Sequence, residues 1–308
     1  MGANHAKHRP QPDVNKTCTE KFRFIEGRRY HNQKTLYDLP NDNDEIDRLN
    51  LEHFLVRAVY QSNYSSPIND LLTSGISVLD VGCGSGAWAL EMATNYHKSE
   101  FVGIDVSPTF PVSIKPQNIT FLEKNILESI PYDDESFDFV HMRFMLPAFS
   151  QKQWEEIVIN EVIRVVKGGG WLELCEYELC QNCGPVLEHL LNRRKDMFNE
   201  MGINPLIAQL LGKFMERSEH FEEVYHEKKT IPIGEWGGRI GQVGKEDIVT
   251  RMTAIGPALF NYMKITSKEY EDMMKQSIEE FNEYETFFVT CRLLKIFQSF
   301  VHYYANEL

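Results

Sequence analysis

The sequence predicts an α/β protein built on a doubly wound, mostly parallel sheet, with a helix ahead of it and a helical cap behind it. Three observations carry this. Between about 75 and 178, five short apolar runs of strand length alternate with segments of helical period. The connections are short and suit right-handed crossovers between parallel neighbours. The first run, Val78-Leu79-Asp80-Val81, passes into Gly82-Cys83-Gly84-Ser85-Gly86-Ala87-Trp88, so that strand, tight glycine turn and helix follow one another at once.

Taken in order, residues 1–35 show no sustained period and read as a flexible basic arm, ordered only near Tyr30, with the main domain over 36–308. Asp42 to Glu45 supply a capping box for a helix over about 43–61, with Leu51, Phe54, Leu55 and Ala58 on one face. After the glycine turn, Ala89, Met92, Ala93 and Tyr96 form the buried side of the next helix. Strands follow at 101–105, 119–123 and 137–142. A second capping box, Ser150 with Gln153, opens a helix whose apolar face is Ile159, Val162, Ile163 and Val166. Gly168-Gly169-Gly170 is expected to end it before a fifth strand at Trp171 to Cys175. Beyond Cys183 the pattern gives helices near 185–202, 205–218, 245–263 and 267–284, a strand-like stretch from Phe221 to Ile233, and a last strand at 287–296. Residues 185–285 thus read as sheet edge plus cap, and the acidic side of the last helix (Glu269, Glu271, Asp272, Glu279, Glu280) as a solvated face.

The 308 residues are 42% hydrophobic, enough for one large core or a core with a smaller lobe. A formal net charge of −13 argues against a nucleic acid as the main partner. No apolar run reaches the roughly 20 residues of a membrane span, so a cytoplasmic protein is expected, with the nucleus as the alternative. Six cysteines without an export signal fit reduced thiols. Cys175, Cys180 and Cys183 have the C-x4-C-x2-C spacing of a plant-type iron–sulfur site, with Cys291 as a fourth ligand. Against a metal, Cys175 falls in an expected buried strand.

The glycine turn is a ligand cradle by construction. Glycine lets the backbone reverse and a ligand approach without Cβ atoms in the way. The following helix points unpaired N–H groups at whatever lies there. Read as G-x-G-x-x-A with Asp105 behind it, the turn imitates a dinucleotide fingerprint and allows an NAD-dependent oxidoreductase. Asp80 two residues before Gly82, and the D-x-G-x-G-x-G alternation, fit S-adenosyl-L-methionine better, a ligand with a carboxylate and no pyrophosphate.

Residues 78–86, Asp105, Asn125-Ile126 and the run from Phe137 to Glu176 resemble the successive motifs of class I S-adenosylmethionine-dependent methyltransferases, which share a Rossmann-like fold. Tyr37 to Asp42, Asp47-Arg48-Leu49, His53, Phe137 to Arg143, Gly169 to Glu173 and Ile231 to Trp236 resemble the fungal LaeA-like (UMTA-type) members. The resemblance implies roles. The turn Gly82, Cys83, Gly84 and Gly86 would touch the methionine half, with Asp80 ordering its ammonium and the Met142 backbone facing it. Asp105, followed by Val106, would accept the ribose hydroxyls. Asn125 and the Ile126 N–H would hold adenine, although many relatives carry Asp where Asn125 stands.

His141 and Arg143 read equally as core-edge residues. Arg48 and His53 either pair with local acids or close over the cofactor. The acceptor is expected to be a small molecule, with the N-terminal helix and the cap as a lid. The alternative keeps the donor site and makes a protein the acceptor, or makes the chain a regulatory subunit working through protein partners.

Overall fold

The computed structural model describes residues 22–33, 35–216 and 225–296. Its centre is a seven-stranded sheet in the order β5-β4-β3-β6-β7-β9-β8. The strands are β3 (Ser77–Val81), β4 (Glu100–Asp105), β5 (Ile119–Glu123), β6 (Phe137–Arg143), β7 (Val166–Tyr177), β8 (Tyr225–Pro232) and β9 (Phe287–Ile296). Strands β5 to β7 are parallel, and β9 and β8 continue the sheet antiparallel. This is the expected doubly wound, mostly parallel sheet. The chain leaves β3 toward β4 and later returns to place β6 on the other side of β3, so the strand order reverses between β3 and β6. A crevice opens outside the carboxyl ends of strands at such a point.

One apolar layer lies under Val158, Ile159, Val162 and Ile163, from a helical stretch that begins at Gln151 and ends in α4 (Ile159–Val165). The other face is covered by Trp88, Ala89, Met92 and Ala93 of α3 (Ala87–Asn95) and by Leu72 of α2 (Asn69–Ser74). The expected capping box of Ser150 and Gln153 is formed in both directions. The helix it opens stops one residue earlier than expected. Val166 begins β7, and the glycines at 168–170 lie inside that strand, where the pairing with β6 shifts register between Phe137 and Phe139. A bulge accommodates glycine where a regular ladder would not favour it.

The cap is made by α5 (Pro185–Glu200), α6 (Ile207–Glu216), α7 (Gly238–Met263) and α8 (Ser267–Glu283). Helices α5, α7 and α8 share an apolar cluster around Leu190, Ile248, Met252 and Phe281. Helix α7 starts earlier than its periodicity suggests because small residues let it lie directly on β8. A Cβ at Gly244 would come within 2.4 Å of the Pro232 carbonyl. The start of the strand-like stretch expected at 221 lies outside the described residues.

Three expectations are corrected. The first concerns the arm. Its first 21 residues lie outside the described ones, but β1 (Phe22–Ile25) and β2 (Arg28–His31) form an antiparallel hairpin. Glu26 and Gly27 turn it with φ of 48° and 76°, the left-handed pair a tight hairpin requires. Arg28 docks it on Asp42 at 2.8 Å, and Asp42 also caps α1 (Asn43–Tyr60) by accepting the Glu45 N–H. The second concerns α1, where Phe54 is 55% exposed while Glu45, Arg48, Glu52 and His53 are buried. The helix turns its charged side inward because the opposing charges lie on α7. The third is Glu280, which is buried and accepts the Val186 and Leu187 N–H groups of α5, each at 3.0 Å. It satisfies a helix N-terminus instead of facing solvent.

Candidate functional site

At the reversal between β3 and β6 lies a cavity of about 300 Å³, bounded by the turn after β3, the ends of β4, β6 and β7, and helices α1, α5 and α7. It has two chemically distinct ends.

The first end is the glycine turn. Gly82 and Cys83 both donate to the Ile104 carbonyl, at 2.8 and 3.0 Å, which ties the turn to β4. Gly82 has φ 68° and Gly84 φ 54°, conformations in which an L side chain is strained. A Cβ on Gly82 would also meet the Met145 thioether at 2.3 Å. At Gly84 the nearest atom to such a Cβ is Leu49 Cδ1, at 3.3 Å, so the backbone here faces the cavity with only a lid side chain across from it. Asp105 closes this end. Its two oxygens accept the Gly84 N–H at 2.9 Å and the Ser107 N–H at 2.8 Å, and burial pushes its carboxyl up to about 6. Each oxygen keeps a second lone pair for a further donor.

Asp80, Cys83, Val106, Asn125 and Ile126 also line the cavity. Asp80 is buried against His141 Nδ1 at 2.8 Å, and burial raises its carboxyl to about 7 while holding the His141 imidazolium well below its ordinary range. Asp80 is therefore the group of the pair that changes charge near neutral pH, while His141 stays neutral. His141 lies flat on Trp88, with ring centroids 3.8 Å apart. The Asn125 side-chain oxygen accepts the Leu127 N–H at 3.0 Å, an Asx turn that presents the following backbone. The side chain of Met142 is packed in the core, and its strand neighbours His141 and Arg143 are the ones that reach the cavity. Gly86 sits behind the turn, against Phe121.

The second end is built from residues far apart in sequence. Arg48 on α1 pairs with Glu45 at 2.7 Å, Glu52 at 3.2 Å and Asp247 of α7 at 3.1 Å. Arg251, one turn along α7, pairs with Asp247 at 2.6 Å and with Glu52. Burial pushes Glu52 up, but Arg251 and Arg48 outweigh it and hold that carboxylate below its ordinary range. These buried charges answer one another and leave little net charge facing the cavity.

Beside them the chain turns sharply after β6. Phe144 has φ 58°, unusual for a bulky side chain and a place where strain is stored. Three contacts hold it. Its N–H donates to the Cys175 carbonyl at 2.9 Å. Its ring stacks on Tyr177 at 4.2 Å. The buried Glu176 carboxyl accepts the next two amides, Met145 at 2.6 Å and Leu146 at 3.2 Å. Burial pushes Glu176 up to about 8. Arg251 covers the Tyr177 ring, with Cζ 4.6 Å from its centroid.

The lid is fastened to the cradle. Asn41 donates to Ser107 and Ser85 donates to Asn50 of α1, at 2.8 and 2.9 Å. Arg194 of α5 holds Asp38 at 2.7 Å. His53, which does not line the cavity, lies between Glu91 at 2.8 Å and Arg143 at 3.3 Å. Arg48 and His53 both pair with acids, Arg48 with Glu45, Glu52 and Asp247 and His53 with Glu91 of α3, and of the two only Arg48 lines the cavity. Glu52, Glu176, Tyr177, Asp247 and Arg251 were not singled out by sequence. Glu176 and Tyr177 directly follow the predicted strand, inside the observed one, and could have been, whereas nothing in the local pattern marks Asp247 or Arg251. Among the described residues, no group of three or more His, Cys, Asp or Glu side chains could hold a metal, and no helix is long and apolar enough to cross a membrane.

Comparison with known proteins agrees with this geometry. Residues 78–170 match the profile of a methyltransferase domain. Methyltransferase pytC of Aspergillus terreus is 34% identical over 176 residues, which cover 54% of this chain and 52% of pytC. Methyltransferase str2 of Strobilurus tenacellus is 28% identical over 207 residues, covering 65% and 72%. The secondary metabolism regulator LAE1 of Cochliobolus heterostrophus is 32% identical over 177 residues, covering 56% and 55%. The match spans about half the length of pytC and LAE1. The strand order, the cradle after β3 and the matched segment together identify a class I S-adenosylmethionine-dependent methyltransferase domain of Rossmann-like fold, in a chain that resembles the LaeA-like methyltransferases of fungi.

Proposed function

We propose that this chain transfers a methyl group from S-adenosyl-L-methionine to a small, largely apolar acceptor. The observation that carries the reading is the single cavity joining the glycine turn and Asp105 to a chamber walled by Phe144, Ile248, Met252, Ile255 and Phe288. Arg48, Glu52 and Arg251 beside it are spent on one another and on Asp247, so the chamber suits a molecule with an apolar skeleton.

The residues at the first end suit the cofactor. The backbone of Gly84 lies open toward the cavity, and the start of α3 favours a carboxylate. Asp105 would take the ribose hydroxyls on its remaining lone pairs. Asn125 and the Ile126 N–H would hold adenine, and Cys83 and Val106 line the same end of the cavity. Asp80 and the Met142 backbone would order the ammonium. When bound, the cofactor supplies an electrophilic methyl on a sulfonium with a good leaving group. The chain's own work is then alignment, which can supply much of the acceleration. The clamped turn at Phe144 to Leu146 stands between the two ends and fixes their relation. If the acceptor is a hydroxyl or an ammonium, Glu176 is the cavity carboxyl whose affinity for protons suits their removal near neutral pH.

A protein acceptor would need an open groove. The lid, held by Asn41, Asn50 and Asp38, favours the small molecule instead. Calorimetry tests the donor half: S-adenosylmethionine or its demethylated product should bind and NAD should not. Binding of NAD alone would replace the reading with an oxidoreductase.

A further inference from the structure

The cysteines singled out by their spacing are not absorbed by the site. Cys175 and Cys291 are buried in adjacent strands, while Cys180 and Cys183 lie half-buried in the loop between β7 and α5. We propose that Cys180 and Cys183 form a reversible dithiol–disulfide site, oxidised by thiol–disulfide exchange with a low-molecular-weight disulfide such as glutathione disulfide.

The geometry is prearranged. Both thiols point at one atom, the Gln181 carbonyl oxygen, from 4.0 Å for Cys180 and 3.9 Å for Cys183. Asn182 between them has φ 52°, which folds the chain back between the two cysteines. The loop is anchored at its middle. Gln181 exchanges both backbone hydrogen bonds with Phe287, at 2.8 and 3.2 Å, and the Asn182 carbonyl accepts the Thr286 hydroxyl at 2.8 Å. Little chain entropy is left to lose when the ring closes. The thiols also differ in reactivity. A hydrogen bond from Cys180 holds the Cys183 thiol below its ordinary range, against burial and the nearby Glu188 and Glu280, while the same contact raises Cys180. Cys183 is the attacking sulfur.

The exchange balances without further reagents. Cys183 thiolate attacks glutathione disulfide, forming a mixed disulfide and releasing one glutathione thiolate. Cys180, losing its proton, then attacks the Cys183 sulfur and expels the second glutathione. Two electrons pass from the dithiol to the small disulfide, and the two thiol protons end on two glutathione molecules. The bond would close at the root of α5, which contributes Leu191, Arg194 and Phe198 to the cavity wall.

The test treats the full-length protein with oxidised glutathione, quenches with acid, alkylates the remaining thiols and maps the tryptic peptide spanning residues 168–193. The expected product lacks two hydrogens between Cys180 and Cys183, carries the alkyl group on Cys175, and returns to the dithiol with reduced glutathione. Cys180→Ser, folded by circular dichroism, should instead retain a glutathione adduct on Cys183, and Cys183→Ser should react more slowly. Persistent adducts on the wild-type pair, bonds from either cysteine to another partner, or a pair still reduced after equilibration would overturn the proposal.

Discussion

The two ends of the cavity are assembled by opposite rules. The end proposed for the donor is local: the turn at 82–86 and Asp105 sit at the ends of two adjacent strands and are tied to each other by the Gly84 N–H. The acceptor end is long-range: Arg48 meets Asp247 across 199 positions, and Phe144 stacks on Tyr177 from the neighbouring strand. A local site is fixed by a short pattern and tolerates change elsewhere, whereas a dispersed one depends on the packing of the whole lid. Variants at the first end should therefore strike cofactor affinity more than stability. Those at the second should strike stability or turnover.

The largest effect expected is at the dispersed end. Arg48→Met leaves Glu45, Glu52 and Asp247 buried without their shared cation, and should cost about 3–5 kcal/mol in urea unfolding at neutral pH. Stability within experimental error of the wild type would mean that the network is not what holds α1 on α7. Next comes Asp105→Ala, which should lower S-adenosylmethionine affinity roughly 10- to 100-fold in calorimetry, the worth of charge-assisted hydrogen bonds. Its melting temperature should also fall, by a few degrees at most, because the Gly84 and Ser107 N–H groups lose their acceptor. Glu176→Gln should do the reverse, lowering turnover of a protonated acceptor about 100-fold, the usual weight of a general base, with cofactor affinity unchanged. If affinity falls with turnover, the two ends are not separable.

Smaller effects sharpen the same contrast. The Asp105 carboxyl, raised to about 6 by burial, would offer both oxygens as charge-assisted acceptors to the ribose hydroxyls only when ionised. Cofactor affinity should be flat above that pH and fall as pH drops through it, approaching tenfold per unit for a single proton. Asp80 titrates nearby at about 7, so Asp105→Asn is the discriminating control, and its profile should lose the fall near 6. Smallest of all, Tyr177→Phe removes a hydroxyl 3.3 Å from Arg251 but keeps the ring stack. It should cost about 0.5–1.5 kcal/mol, the net worth of one hydrogen bond.

How much of this is legible in the sequence follows from the same contrast. Strands β3 to β6 are visible because buried parallel strands are continuous apolar runs, β9 because it is rich in apolar residues though antiparallel, and the cradle because only glycine fits its backbone. The inward side of α1 is not visible. Leu51, Phe54, Leu55 and Ala58 obey the helical period, but burial of the charged face depends on partners in α7, and charge pairing across the fold has no period. The hairpin at 22–31 escapes for a related reason. Its strands are rich in arginine, and what fixes them is the Asp42 carboxylate on another element. Glu280 reads as solvated until α5 brings its amides to it.

The account's central claim is that one cavity holds the methyl donor at one end and a small molecule at the other. Its most direct test incubates the purified protein with methyl-labelled S-adenosylmethionine and cell extract, then separates small molecules from protein. The account predicts label in the organic-extractable fraction, abolished in Asp105→Ala. Label found only in protein would contradict it.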